Sequence, residues 1–341
     1  MRIRQSDIAK IANVSQATVS RVLSGDERVE DDIRQRVLVA IETHNYKPDV
    51  RARSLRTLQT HLIGLVVKRP HGALQGDPFY AQLISEILES LASTPYHLCV
   101  DMATTDSGQV AVYDELLRTR RVDGVLLVES EADDERIVRL QHDDFPFVVL
   151  GKADPARFYS VDNDNVFAGS LAAEHLVERG YANILMLAGP EAVTVSDDRI
   201  AGYRSVMASH GRRAVVVHSE FGYEAARDAA RGILAGPSRP DALVVLDDFM
   251  ALGAVQAVRE HGLRIGPDVG IVAFNDSVLC GTVEGGLSSV SLNIGALVAR
   301  AIKRLLKVIE GKPIESSRRV EIACELVARG SSRRAEETGD R

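Results

Sequence analysis

The residues with the most direct chemistry stand near the N-terminus, where Ser15 is followed by Gln16, Ala17, Thr18, Ser20 and Arg21. A glutamine amide pairs with adenine, an alanine methyl packs on a thymine methyl, and arginine pairs with guanine or a phosphate. The chemistry of that set suits contact with base edges rather than cleavage or group transfer. Catalytic arrangements are missing from the rest of the chain. There is no G-x-G-x-x-G after a strand, no P-loop, no G-x-S-x-G and no H-E-x-x-H, and the nine histidines are scattered singly. The acidic pairs Asp133-Asp134, Asp143-Asp144, Asp197-Asp198 and Asp247-Asp248 have the composition of solvated or capping loop groups. Cys99, Cys280 and Cys324 lie far apart and lack metal-ligand spacing, so neither a disulfide framework, a metal nor a cofactor is expected.

The elements that must present the base-reading set follow from periodicity. Ile8, Ile11 and Ala12 form an apolar stripe after a cap at Ser6, and Asn13 can take the left-handed turn that stops a helix. Ser15 then caps a second helix that buries Val19, Val22 and Leu23 and leaves Gln16, Ala17, Ser20 and Arg21 pointing away. A third helix over 31–44 supplies Ile33, Val37, Ala40 and Ile41. This is a helix-turn-helix, whose second helix enters the major groove of DNA, although the same pattern occurs in small bundles with no DNA role.

Residues 1–60 carry eleven Lys/Arg against eight Asp/Glu, whereas the whole chain has a net charge of −7. A cationic head on an acidic body suits phosphate contact by the head alone. After Pro48 the segment Asp49-Val50-Arg51-Ala52-Arg53-Ser54-Leu55-Arg56 is basic and helix-compatible, yet too short to be a stable helix by itself.

From His61 onward, apolar runs alternate with amphipathic helical stretches: 62–67, 96–102, 124–128 and 147–150, then 184–187, 214–217, 242–246 and 269–274, with helices such as 166–179 and 249–261. The pattern predicts α/β architecture with parallel sheets in two similar lobes, whose strand ends face one ligand crevice. At 341 residues, with 45% hydrophobic and 26% charged residues, the chain has room for such a body behind the head. No stretch is apolar enough for a signal peptide or membrane span, so a cytoplasmic protein is expected.

The strings Asp7-Ile8-Ala9, Val14-Ser15-x-x-Thr18-Val19-Ser20-Arg21-Val22-Leu23 and Asn45-Tyr46-x-Pro48 resemble the lactose/galactose repressor family. One departure is Glu30, which stands where that family has Ser or Thr, so Asp31 or Asp32 is the expected cap of the third helix. The resemblance continues through Asp162-Asn163-Asp164-Asn165, Asp198-Arg199-x-x-Gly202-Tyr203, Asp248-x-Met250-Ala251-x-Gly253-Ala254 and Phe274-Asn275-Asp276. It implies a three-helix head at 1–46, a hinge at 47–60 and a periplasmic-binding-protein-like body at 61–330. The first lobe would comprise about 61–160 and 292–320, the second about 161–291 and 321–330, before a disordered tail at 331–341.

By the same resemblance the chain is a homodimeric repressor of pseudo-palindromic operator DNA, controlled by a small carbohydrate bound between the lobes. Gln16 and Ala17 would select bases, with Ser15, Thr18, Ser20 and Arg21 as further contacts. Leu55, flanked by Arg53 and Ser54, would wedge into the minor groove. Arg199 and Asn275 would hold the effector's polar groups while Phe79 and Phe221 flank it, with Tyr80 and, at a strand end, Asp247 as further effector-binding residues. Gly151-Lys152 and Phe274-Asn275-Asp276-Ser277 look most like the maltose-type branch. Lys68 departs from the small polar residues usual at its position and would suit an anionic or phosphorylated ligand. A solute-binding protein, or a regulator answering to a non-sugar or phosphorylated metabolite, is the competing reading.

Overall fold

The computed structural model describes residues 3–23, 25–46, 59–68, 78–131, 133–152, 158–191, 194–314 and 317–334. The chain divides into two compact units, Met1–Thr60 and His61–Arg341.

In the first unit, helices α1 (Gln5–Ile11), α2 (Gln16–Leu23) and α3 (Asp31–Thr43) enclose a core of Ile8, Ala9, Ala12, Val19, Val22, Val29, Val37 and Ala40. Ile33, Ile41 and Leu23 pack against it from its edges. Asn13 has φ 52°, and Ser15 Oγ accepts the Thr18 amide at 3.0 Å, so the turn and the second cap form as the sequence predicts. Three expectations are corrected. Ser6 lies inside α1 rather than capping it, and the Asp7 carboxylate instead accepts the Arg4 amide at 2.9 Å. Ile11 is 49% exposed because the buried stripe runs through Ile8, Ala9 and Ala12. Neither Asp31 nor Asp32 caps α3: Glu30 occupies that position without a side-chain bond, and the two aspartates stand in the first turn, where negative charge meets the positive end of the helix dipole.

The second unit contains two six-stranded sheets. The first runs β11-β5-β4-β3-β1-β2 and is built from β1 (Leu62–Lys68), β2 (His97–Ala103), β3 (Gly124–Val128), β4 (Phe147–Leu150), β5 (Ser160–Asn163) and β11 (Arg319–Ile322). Its paired strands are parallel, and helices α4 (Pro78–Leu91), α5 (Asp106–Thr119), α6 (Glu135–His142) and α11 (Ile294–Ile309) belong to this lobe. The second runs β12-β10-β9-β8-β6-β7 from β6 (Ile184–Ala188), β7 (Val215–His218), β8 (Ala242–Val245), β9 (Gly270–Phe274), β10 (Ser288–Ser291) and β12 (Glu325–Val327), with β12 antiparallel. Its helices are α7 (Asn165–Glu178), α8 (Thr194–Ser209), α9 (Tyr223–Ala235) and α10 (Asp248–Glu260). The central strands β3, β4, β6, β8 and β9 are buried throughout, as continuous apolar runs covered on both faces require.

The chain passes between the sheets three times: after β5, after β10 and between β11 and β12. One amide touches all three passages, since Asn163 Nδ2 donates to the carbonyls of Leu292 at 2.9 Å and Ile322 at 3.0 Å. The expected lobe boundaries, about 160/161 and about 320/321, fall within β5 and β11, whose last residues in the first sheet are Asn163 and Ile322. The expected tail also starts too early. Ser331 and Ser332 are buried: Ser331 Oγ donates to the Ile271 carbonyl at 2.7 Å, and Ser332 Oγ lies 2.7 Å from both Ser288 Oγ and His175 Nε2.

Candidate functional site

On α2 the side chains of Gln16, Ala17 and Arg21 are exposed, while Thr18 and Ser20 are half-buried. Ser15 and Thr18 serve the helix start, because Ser15 Oγ accepts the Thr18 amide and lies 2.8 Å from Thr18 Oγ1. The exposed trio is thus carried on a helix whose start is capped. Arg53, Ser54 and Leu55 lie outside the described residues.

In the body the carboxyl ends of the strands collect two groups of side chains. The second-lobe group centres on Arg199, carried by α8 and only 7% exposed. Its Nε donates to Asn165 Oδ1 and its Nη1 to the Leu246 carbonyl, both at 3.0 Å, and the guanidinium lies over the Phe274 ring at 4.7 Å. These acceptors are neutral, and the two bonds use two of the five guanidinium N–H groups. Burial lowers its pKa to about 10, against the opposing pull of Cys324, Asp247, Asp162 and Asp248, so it remains a cation at neutral pH.

The helix that carries Arg199 is fixed by glycine. A Cβ on Gly169 of α7 would fall 2.1 Å from the Arg199 carbonyl oxygen, and one on Gly202 would fall 1.9 Å from that of Val166, so α7 and α8 pack backbone against backbone. Phe221 is placed beside Leu246 in the same way: a Cβ on Gly189 would lie 3.0 Å from the Phe221 ring and 2.6 Å from Leu246 Cδ2. Asp247 caps α10, its Oδ1 accepting the Met250 amide at 2.7 Å. Asn275 follows β9 with φ 97°, a conformation that asparagine tolerates better than most residues. Its turn is anchored by Asp248, which accepts the Ser277 amide at 2.6 Å and the Ser289 hydroxyl at 2.7 Å. Arg199, Phe221, Asp247 and Asn275 are thereby brought together around Leu246 and Phe274.

The first-lobe group is Lys68, Phe79 and Tyr80. Tyr80 is fully buried, its ring edge-on to Phe79 at 5.4 Å and its hydroxyl donating to Glu129 Oε2 at 2.9 Å. Lys68 Nζ contacts Asp106 at 2.5 Å and Glu131 at 2.8 Å. Burial works against its charge, but the bonds to these carboxylates outweigh burial and hold its pKa above the ordinary lysine value.

Sequence reasoning did not single out three contributors. Asn165 orients Arg199, Phe274 stacks beneath it, and Asp162, 2% exposed at the end of β5, accepts the Asn163 amide and Asn165 Nδ2 through Oδ1. Among the described residues Asp162 Oδ2 is buried without a hydrogen bond, and burial raises the pKa of this carboxyl to about 6. The signal was present in the string 162–165, four consecutive acids and amides at the end of a strand, where Asn163 ties the passages between lobes and Asp164 caps α7 while Asp162 and Asn165 lead to Arg199. A surface hollow of ≈ 420 Å³ lined by Asp114, Leu117, Val138 and Arg139 lies on α5 and α6, away from these strand ends.

Residues 6–49 match the lacI family of bacterial regulatory proteins, and residues 173–332 match the periplasmic binding protein-like domain. Over 332 residues the chain is 32% identical to the ribose operon repressor of Halalkalibacterium halodurans, covering 97% of each chain. The chain belongs to the lacI family. Two solved structures are similar to this LacI-family chain over nearly its full length. The lac repressor dimer bound to operator and the anti-inducer ONPF superposes with a TM-score of 0.84 at 25% identity, covering 98% of this chain and 100% of that one. The complex of the transcriptional regulator CelR with cellobiose superposes with a TM-score of 0.74 at 26% identity, covering 97% and 100%. Among the described residues no helix is long and apolar enough to cross a membrane.

Proposed function

We propose that this LacI-family protein is a homodimeric transcriptional repressor whose operator affinity is set by an uncharged carbohydrate bound between its lobes. The observation that carries the reading is Arg199, a buried cation whose two acceptors are neutral, ringed by Phe221, Phe274 and Asn275. A guanidinium beside aromatic rings suits a sugar, which offers hydroxyls around its rim and an apolar C–H face. The relatives point the same way, one named for a ribose operon and one solved with cellobiose.

An uncharged sugar is favoured over a phosphorylated one because Lys68 already faces two carboxylates, Asp106 and Glu131. Gln16, Ala17 and Arg21 would read operator bases, and Leu55, with Arg53 and Ser54, would enter the minor groove where two hinges meet. This role is regulatory and not enzymatic, and it belongs in the cytoplasm with the DNA. A thermal-shift screen of pentoses, cellobiose, maltose and sugar phosphates tests the ligand, since binding raises the apparent melting temperature. An uncharged sugar should produce the largest shift; a shift confined to sugar phosphates would overturn the carbohydrate class proposed here.

A further inference from the structure

One ion pair crosses from the first lobe to the second beside the candidate ligand arginine. Lys152 follows β4 of the first sheet, Asp198 lies on α8 of the second lobe, and Nζ stands 2.6 Å from Oδ1. Both ends are held in place. The Lys152 carbonyl accepts the Ser130 hydroxyl at 2.8 Å, and the preceding Gly151 has φ +130°, which side-chain-bearing residues avoid. A Cβ at Gly151 would touch Val195 Cγ1 of α8 at an ordinary 3.7 Å, so the two lobes are in close approach around the pair. Asp198 is 15% exposed, Lys152 is 45% exposed, and the next residue on the helix is Arg199.

We propose that Lys152 and Asp198 form a latch that biases the ligand-free body toward its closed-lobe arrangement. The Lys152 backbone is tied to Ser130 and α8 packs backbone against backbone on α7, so each charge is anchored to its own lobe and the two meet only when the lobes approach. Separating the lobes leaves Asp198 facing solvent and Lys152 without its partner. A partly exposed pair of this kind shifts a two-state ratio by up to about fivefold, enough to set a resting population and weak enough for a ligand to override. Because Asp198 and Arg199 share one turn of α8, a ligand that moves the arginine also loads the latch.

The test measures the distance between spin labels at Glu115→Cys, on α5, and Ala208→Cys, on α8, both exposed positions. A Cys99→Ser background, with Cys280 and Cys324 buried, restricts labelling to these sites, and dilution with excess unlabelled protein isolates distances within one protomer. No ligand is added, so the result is separate from the carbohydrate reading. Lys152→Glu and Asp198→Lys should each lengthen the distance, and the double reversal Lys152→Glu/Asp198→Lys should return it to the wild-type value. Lys152→Met and Asp198→Asn, which introduce no new charge, should lengthen it as well. Raising NaCl to about 1 M, where screening acts within about 3 Å, should lengthen the wild-type distance and leave that of Asp198→Asn unchanged. Single variants with the wild-type distance, or a double reversal no shorter than the singles, would overturn the latch.

Discussion

The Arg199 guanidinium lies 4.7 Å above the Phe274 ring while its Nη1 donates to the Leu246 carbonyl, so one side chain joins the ends of β8 and β9. Lysine cannot reproduce the planar fork that makes this geometry. Arg199→Lys should weaken effector binding by at least about tenfold, or ~1.4 kcal/mol, in isothermal titration with the sugar that gives the largest thermal shift. Unaltered affinity would remove Arg199 from the binding site.

Gly169 fixes the same arginine from behind. An alanine there must displace the Arg199 backbone, because its Cβ would stand 2.1 Å from the carbonyl oxygen. Overpacking of this kind costs about 1–3 kcal/mol, so Gly169→Ala should lower the midpoint of urea unfolding and weaken effector binding together. A loss of stability with full effector affinity would show that α7 does not position Arg199.

Asp162 should make the body less stable as pH rises. Its pKa is pushed up to about 6 in the fold by burial, above the ordinary aspartate value near 4. A carboxyl raised in this way favours the fold fully below about pH 4, and that contribution is lost as pH climbs through 6. Asp162→Asn removes the charge and keeps an acceptor for Asn163 and Asn165. It should therefore gain up to about 3 kcal/mol over wild type at pH 8 and almost nothing at pH 4, read from denaturant unfolding at the two pH values. An equal difference at both would show that the carboxylate is not penalised by burial.

The head offers a contrast between neighbours. Ser15 caps α2, so Ser15→Ala should destabilise the head by about 1 kcal/mol and weaken binding to every DNA sequence alike. Gln16 is exposed and makes no contribution to the core. Gln16→Ala should leave the melting temperature unchanged and cost about 1–3 kcal/mol of discrimination at one base pair, measured by anisotropy titration against operator variants with single substitutions.

Much of this was legible in the sequence because the informative elements are strongly patterned. The continuous runs 124–128 and 147–150 match β3 and β4 residue for residue, since a buried parallel strand has no polar alternation to blur its ends. The strands β5 and β10 were not legible. Ser160-Val161-Asp162-Asn163 and Ser288-Ser289-Val290-Ser291 are not among the predicted strands because they lack an apolar run, yet Asp162 and Asn163 are bonded across the passages between lobes and Ser288 and Ser289 are satisfied by Ser331, Ser332 and Asp248. Polar residues buried by long-range hydrogen bonds leave no hydrophobic period. The tail was misplaced for the same reason, because Ser331 and Ser332 look like solvent-loving residues until their partners on β9, β10 and α7 are known. Arg199 was readable by type and motif, whereas its dependence on Asn165 and Gly169 needed the α7–α8 crossing.

The most direct test of ligand-controlled repression is reciprocal. Operator DNA from the protein's own promoter is titrated by fluorescence anisotropy with and without the sugar selected by thermal shift, and the same sugar is titrated against free and operator-bound protein. Linkage requires the two affinity changes to share one factor, and couplings of this type are typically about 5–150-fold. The account predicts equal factors within that range. Operator affinity unchanged by saturating sugar would contradict it.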